Sequence, residues 1–480
     1  MFLSTVNNDR AGGEMLELMQ RVWPLHRCVT GDGVRETLRV LGETIPLEIT
    51  EVPTGTRILD WTVPQEWNIR DAYIQDASGV KVVDYGQSNL HVVGYSQGVR
   101  ARLCWNELQP HLSTLPEKPD WIPYRVDQQG DWGFCLSHRQ YEALASRGNV
   151  DYDIVIDAQR RDGSLSYGEC YLPGKSSDEV LFSAHVCHPS LANDNLSGIA
   201  VSMMLAKALA KSEHWYSYRF VFAPATIGAI AWLANNRERT ARIQHGLVLA
   251  LLGHPGQSTY KKSRRGNAAI DQIVEYVLRQ SESPFEIRQF TPLGYDERQF
   301  CSPGFNLPVG CLMRTPNGEY PEYHTSADDM SLIAPTALVD SLAKCLSIVE
   351  IVDNSHRYLN PRPYGEPALG KHSLYRAYGA ADREASFQEA ILWTLNLSDG
   401  AHTLLDIALR SGLRFPEIRR AAAALSECGL LETCNRQSLS DDCGLKSVEE
   451  VGGDAPRRTP DAARSLLCEL ERFEPCPTNR

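Results

Sequence analysis

The chain has 480 residues, 42% of them hydrophobic and 22% charged, and a formal net charge of -12. That length exceeds one ordinary core and predicts roughly two to four folding units, while the acidic balance excludes a general phosphate-binding surface, which needs clustered Lys and Arg. No run approaches the ~20 apolar residues that cross a bilayer, so no membrane is expected as a partner.

The opening segment MFLSTVNNDRAGGEM turns polar almost at once and lacks the apolar stretch of a signal peptide. With that start, and with thirteen cysteines but no CxxC pair, the thiols are expected to be reduced and the protein cytoplasmic. Residues 1–45 carry apolar positions at three- and four-residue spacing, in EMLELMQRVWPL and VRETLRVLGE, and predict helices. From residue 46 to 159 the texture changes to short β-branched and aromatic segments, among them RILDWTV, LHVVGY and DYDIVIDAQ, separated by Gly, Ser and Pro breaks. This predicts a mostly-β inserted domain.

Beyond it, VLFSAHV, RFVFAPA and GLVLALLG are continuous apolar runs of strand length. They alternate with the helical segments SGIAVSMMLAKALAKS and IGAIAWLANN. Such alternation predicts an α/β domain, built from 1–45 and 160–355, whose mixed or parallel sheet is covered by helices on both faces. Ligands of such sheets sit at the carboxyl ends of the strands. After the Pro-rich HRYLNPRPYGEP, three short helices between 384 and 432 predict a helix-turn-helix within a 365–436 domain. The polar remainder, 437–480, is expected to be a flexible tail.

Chemistry-bearing residues gather at the predicted strand ends. In FSAHVCHPSLANDNLSG, a strand ends at His185 and a loop carries Cys187, His188, Asp194 and Asn195 to the next helix. Imidazole and carboxylate are ordinary zinc ligands; His185 and His188 could equally be hydrogen-bonded loop residues. NGEYPEYHTSADDM sets His324 between Glu319 and Glu322 on one side and Asp328 and Asp329 on the other, and an acidic surface turn would look the same. His254 closes another strand, and Asp296 and Glu297 interrupt the apolar LGYDERQFCSPGF.

Taken in order, AHxxH…NDNxSG, PxTIGAIAWL, the strand ending at His254 with SRRGN behind it, GYDERQF and YPEYHTSxDD resemble the aminopeptidase-like family of DUF4910/DUF2172 type, related to the M28 zinc aminopeptidases. The resemblance spans about residues 1–440 and implies a zinc-exopeptidase sheet domain of phosphorylase/hydrolase-like fold, an inserted β domain and a C-terminal winged helix. It implies zinc as cofactor, one ion or two, with His185, Asp194 and His324 as ligands and His254 where an aspartate ligand is usual. Cys187 stands where related peptidases carry an aspartate supporting the site. Ala225 and Thr226 stand where they carry a Glu-Glu pair, and neither can take a proton as a carboxylate does. Glu297 and Glu319 are therefore the expected replacements for the general base missing at Ala225, while Asn195, Arg264, Arg265 and Tyr323 are candidates for binding substrate. Arg264 and Arg265 could also simply pair with Asp328 and Asp329.

The expected activity is hydrolysis of an amide or peptide bond in a small molecule or short peptide, in a polysaccharide or specialised-metabolite pathway. The alternatives are a catalytically silent binding scaffold and a winged-helix regulator. Arg410, Arg414, Arg419 and Arg420 cluster about the presumed recognition helix, as DNA contact would require; Glu417 and the apolar AAAALSECGLL argue against nucleic acid as a partner. A homo-oligomer is left open.

Overall fold

The computed structural model describes residues 8–127, 131–372, 374 and 382–434; the expected tail lies outside the described residues. Eight strands form one mixed sheet in the order Leu47–Pro53, Ser164–Leu172, Ser217–Ala223, Glu179–His185, Ile243–Leu249, Val309–Arg314, Ser258–Lys261 and Phe285–Arg288. The four central strands, from Ser217–Ala223 to Val309–Arg314, run parallel to one another, so their carboxyl ends share one edge.

Both faces of this sheet are covered. Phe182, Phe220 and Leu247 enter one apolar core with the helices Asn8–Val22, Gly198–Leu209 and Pro335–Asn354, while their neighbours Leu181, Val221 and Val248 enter a second core with Ile227–Asn235. The two-residue side-chain period sends adjacent residues to opposite faces, which is why these strands read as unbroken apolar runs rather than alternating ones. Full burial of each such side chain contributes about 1.5–3 kcal/mol.

The texture change at residue 46 does not coincide with the start of the inserted sheet. Leu47–Pro53 pairs antiparallel with Ser164–Leu172 and forms the edge of the large sheet. The insertion follows it as a four-stranded antiparallel sheet ordered Lys81–Asp84, Glu66–Gln75, Asp151–Arg161 and Val99–Cys104. Its core residues Trp67, Ile74, Tyr152 and Ile154 are continuous with the second core of the large sheet.

After Pro335–Asn354 come a three-stranded sheet, Asp399–Thr403, Arg357–Leu359 and Glu432–Thr433, and the helices Asp382–Leu397, Leu404–Ser411 and Phe415–Glu427. These helices share the first apolar core through Ile391, Leu404, Ile407 and Ile418. All ten cysteines among the described residues are free, and no helix there is long and apolar enough to cross a membrane.

Candidate functional site

The strand Glu179–His185 is buried throughout and lies in the middle of the sheet, so His185 opens onto the shared carboxyl edge. The loop after it folds back across that edge at a cost in backbone strain. His188 (φ 147°) and Ser190 (φ 45°) both have positive φ, on the order of 1–3 kcal/mol each for residues other than glycine. Trp23 clasps the loop from outside. Its indole N–H donates to the Ser190 carbonyl at 3.1 Å, and its own carbonyl accepts from the Ser190 hydroxyl at 3.1 Å.

The run Asn193-Asp194-Asn195-Leu196-Ser197 divides its side chains between anchoring and exposure to the site. Asn193 Oδ1 accepts from Gly253 N at 3.0 Å, Asn195 Oδ1 from Leu251 N at 3.1 Å, and Ser197 Oγ from Leu252 N at 2.8 Å. Asn195 Nδ2 also donates to the Leu249 carbonyl at 3.1 Å. These bonds tie the loop to the end of the neighbouring strand. From the other side the Asp328 carboxylate accepts from the backbone of Asn193 at 2.6 Å and of Asp194 at 3.1 Å, and from the Tyr320 hydroxyl at 3.2 Å. Asp194 is thereby held, fully buried, with its carboxylate among imidazoles.

Three histidines surround it. His185 Nε2 donates to Asp194 Oδ1 at 2.8 Å and His324 Nε2 donates to Oδ2 at 3.0 Å. His188 Nδ1 lies 3.5 Å from Oδ2 and donates to the Asp194 carbonyl at 3.2 Å. The ligand-capable atoms of His185, His188 and Asp194 all fall within 4.8 Å of one another. Aromatic rings hold the imidazoles: Tyr295 stacks on His185 (4.7 Å, 16°) and Tyr323 on His324 (4.0 Å, 14°). Tyr124, from the inserted domain, meets His188 and His324 edge-on at 5.0 and 5.2 Å.

Burial opposes the charge on Asp194, but His188 and the hydrogen bonds from His185 and His324 outweigh it and hold the carboxyl well below the usual range. Burial pushes His188 down to about 3. An ionised carboxylate beside a neutral imidazole is the protonation pattern in which both bind a metal. Two other carboxyls move the opposite way. Burial raises Asp328 to about 7, helped by the charge of Asp194, and raises Asp296 to about 7 against the opposing pull of His185. Both Asp296 oxygens and His185 Nδ1 are buried without a hydrogen-bond partner among the described residues. Unsatisfied groups of this kind require an explanation such as a bound water or ion, and a carboxylate ringed by imidazoles is the donor chemistry zinc takes. The residues present fit such an ion.

The other candidate residues are distributed less compactly. His254 Nδ1 accepts from Gly256 N at 3.0 Å and lies 2.9 Å from the Thr315 hydroxyl, and its ring is tilted against Tyr320, outside the Asp194 cluster. Asn195 is fully occupied in anchoring the loop. Glu297 is buried in an ion pair with Lys261, while Glu319 is half exposed and bound by Arg288 (Nη2 to Oε2, 2.8 Å). Arg264 donates to the Asn306 side chain at 2.9 Å and Arg265 to the Asn306 carbonyl at 2.7 Å, so neither pairs with Asp328 or Asp329. Ala225 follows the strand Ser217–Ala223, and its N–H reaches Cys187 Sγ at 3.0 Å. Cys187 is thus engaged with that loop and leaves His185 Nδ1 unsupported. Tyr124 and Tyr295 were not singled out in the sequence, and Asp296 was not among the candidate bases, which were its neighbour Glu297 and Glu319. An acidic pair interrupting an apolar segment was the available signal, but it does not say which member faces the site.

Residues 16–355 match the family described as a domain of unknown function, DUF4910. The chain belongs to the DUF4910 family. Following the DUF4910 domain, residues 356–433 match a winged helix-turn-helix family. A Clostridium acetobutylicum protein, provisionally named for polysaccharide biosynthesis and an aminopeptidase-like domain, is 44% identical over 427 residues, covering 89% of this chain and 98% of that protein. The crystal structure of a provisionally named peptidase from the same organism superposes with a TM-score of 0.84 at 44% identity, covering 89% of this chain and 98% of that one. BSAP, a zinc aminopeptidase from Bacillus subtilis, shares the fold at a TM-score of 0.52 and 13% identity, over 72% of this chain and 95% of its own. The DUF4910 domain here therefore has an aminopeptidase-like fold.

Proposed function

We propose that this DUF4910 protein is a metal-dependent hydrolase of an amide or peptide bond in a small molecule or short peptide. The observation that carries the reading is the convergence of His185, His188 and His324 on the buried carboxylate of Asp194. His185, Asp194 and His324, with His188 beside them, would hold zinc. When bound, zinc supplies Lewis-acid chemistry toward a carbonyl and acidifies water.

The chain's own residues account for the rest. Asp296 takes the place of the base absent at Ala225: it is buried beside the stacked His185–Tyr295 pair, and both its oxygens are free to accept the proton of an attacking water. Glu297 and Glu319 are less suited, since each is already neutralised by a cation. Tyr323 and Tyr124 line the partly exposed side of the site, where a substrate would approach. The polysaccharide-biosynthesis name of the Clostridium relative supports a substrate from a carbohydrate pathway, and the free thiols support a reducing, cytoplasmic setting.

Ala225 and Thr226 favour one other reading, a binding protein that keeps the ligand cluster without turnover. Metal content measured by elemental mass spectrometry, on protein purified without added metal, tests the shared premise. About one zinc per chain is expected, with loss in His185→Ala. Wild-type protein that stays metal-free after zinc is supplied would overturn both the metal site and the hydrolase built on it.

A further inference from the structure

The site described so far is built on the large sheet, yet one of its walls comes from the inserted domain. Segment 122–126 runs alongside the loop that carries His324. Ser326 N donates to the Ile122 carbonyl at 2.8 Å, Ile122 N to Ser326 Oγ at 2.9 Å, and Pro123 bridges Thr325 antiparallel. Lys118 Nζ adds a bond to the Pro321 carbonyl. The central contact is made by Tyr124, whose N–H donates to the carbonyl of His324 itself at 2.8 Å.

His324 needs this support. Its φ of 55° lies in the left-handed region, which costs a residue other than glycine some of its intrinsic stability, so an external bond must hold its backbone. The Tyr124 ring also reaches two imidazoles at once. It meets His188 at 5.0 Å and 84° and His324 at 5.2 Å and 82°, both edge-on, while Tyr323 covers a face of His324. One residue of the inserted domain thus fixes the backbone of one candidate ligand and the rings of two.

We propose that Tyr124 is a positioning residue for His188 and His324, so that the metal centre is complete only with the inserted domain in place. The inference rests on the metal-site reading given above and adds to it that zinc affinity is set in part from outside the peptidase-like sheet. Both contacts are between rings, at centroid separations of 5.0 and 5.2 Å, so Tyr124→Phe should preserve the effect and Tyr124→Leu, which keeps apolar volume, should lose it.

The test is zinc affinity of the full chain, measured by competition with a chromophoric chelator and paired with a thermal melt of each variant. Tyr124→Leu and Tyr124→Ala are expected to bind zinc ~10–100-fold more weakly, the usual cost of removing a group that orients a ligand. Tyr124→Phe is expected to bind as the wild type does. In a His324→Ala background the loss caused by Tyr124→Leu should shrink, because one of the two rings it positions is gone. Wild-type affinity in a folded Tyr124→Leu would overturn the proposal while leaving the metal site standing. Equal losses in Tyr124→Phe and Tyr124→Leu would overturn it as well, by assigning the effect to the hydroxyl. A wild-type chain that binds no zinc would instead overturn the metal-site reading and this inference with it.

Discussion

Asp296 and Ala225 are the two residues on which the choice between catalysis and binding turns. A fully buried carboxyl with neither oxygen hydrogen-bonded among the described residues is costly to keep. Replacing it by asparagine keeps its shape and removes the burial of an acid. If Asp296 serves only structure, the variant should lose stability and keep whatever turnover the wild type shows. If it accepts a proton, Asp296→Asn should melt no lower than the wild type, keep its zinc content, and lose on the order of 10²–10⁴-fold in kcat. Thermal melts and steady-state kinetics on any amide the wild type cleaves separate the two outcomes. Unchanged kcat would take the proton-accepting role away from Asp296 and return it to Glu297 or Glu319.

Among the elements, the loop from His185 to Gly198 shows how much of the site was legible in the residues and why. Asn-Asp-Asn-x-Ser after a buried strand singled out Asp194, which the structure sets among three imidazoles. For Asn195 the run was ambiguous, because a sequence cannot tell an amide that faces a ligand from one that satisfies a neighbouring backbone. Here Leu249 and Leu251 claim it. The strand and helix alternation was readable from periodicity alone, and so were the helices of the C-terminal domain. What periodicity could not supply was contact between distant segments: Trp23 with Ser190, Asp328 with Asn193, Tyr124 with His324. The anchoring role predicts a cost. Asn193→Ala would strand the buried Gly253 N–H and remove a bond from Ser197, so a loss of about 1–3 kcal/mol is expected in urea unfolding. A variant as stable as the wild type would show that the loop is held without this amide.

At the scale of the whole molecule, the arrangement of the winged helix bears on whether the protein acts on DNA. A winged helix reads a duplex with the exposed face of its recognition helix, and here the candidate is Phe415–Glu427. That helix is docked. Phe415 N donates to the Tyr276 hydroxyl at 2.9 Å, Arg419 is salt-bridged to Glu350 of the long helix Pro335–Asn354, and Arg420 lies over the Phe387 ring at 3.9 Å. Of the four arginines that suggested a DNA surface, two are therefore engaged within the protein, and the apolar core runs without a break from sheet domain to winged helix. Lifting the helix away to meet a groove would expose that core and break the Arg419–Glu350 pair. The net charge of -12 adds repulsion from the phosphate backbone. Fluorescence polarisation with a labelled duplex at low and physiological salt should then show binding no tighter than the nonspecific range of about 10⁻⁴–10⁻⁶ M. Arg419→Ala should not weaken it, because that guanidinium holds Glu350 rather than phosphate. Tight binding that falls steeply with salt, and falls further in Arg419→Ala, would mean that the docked helix releases and that this domain reads nucleic acid after all.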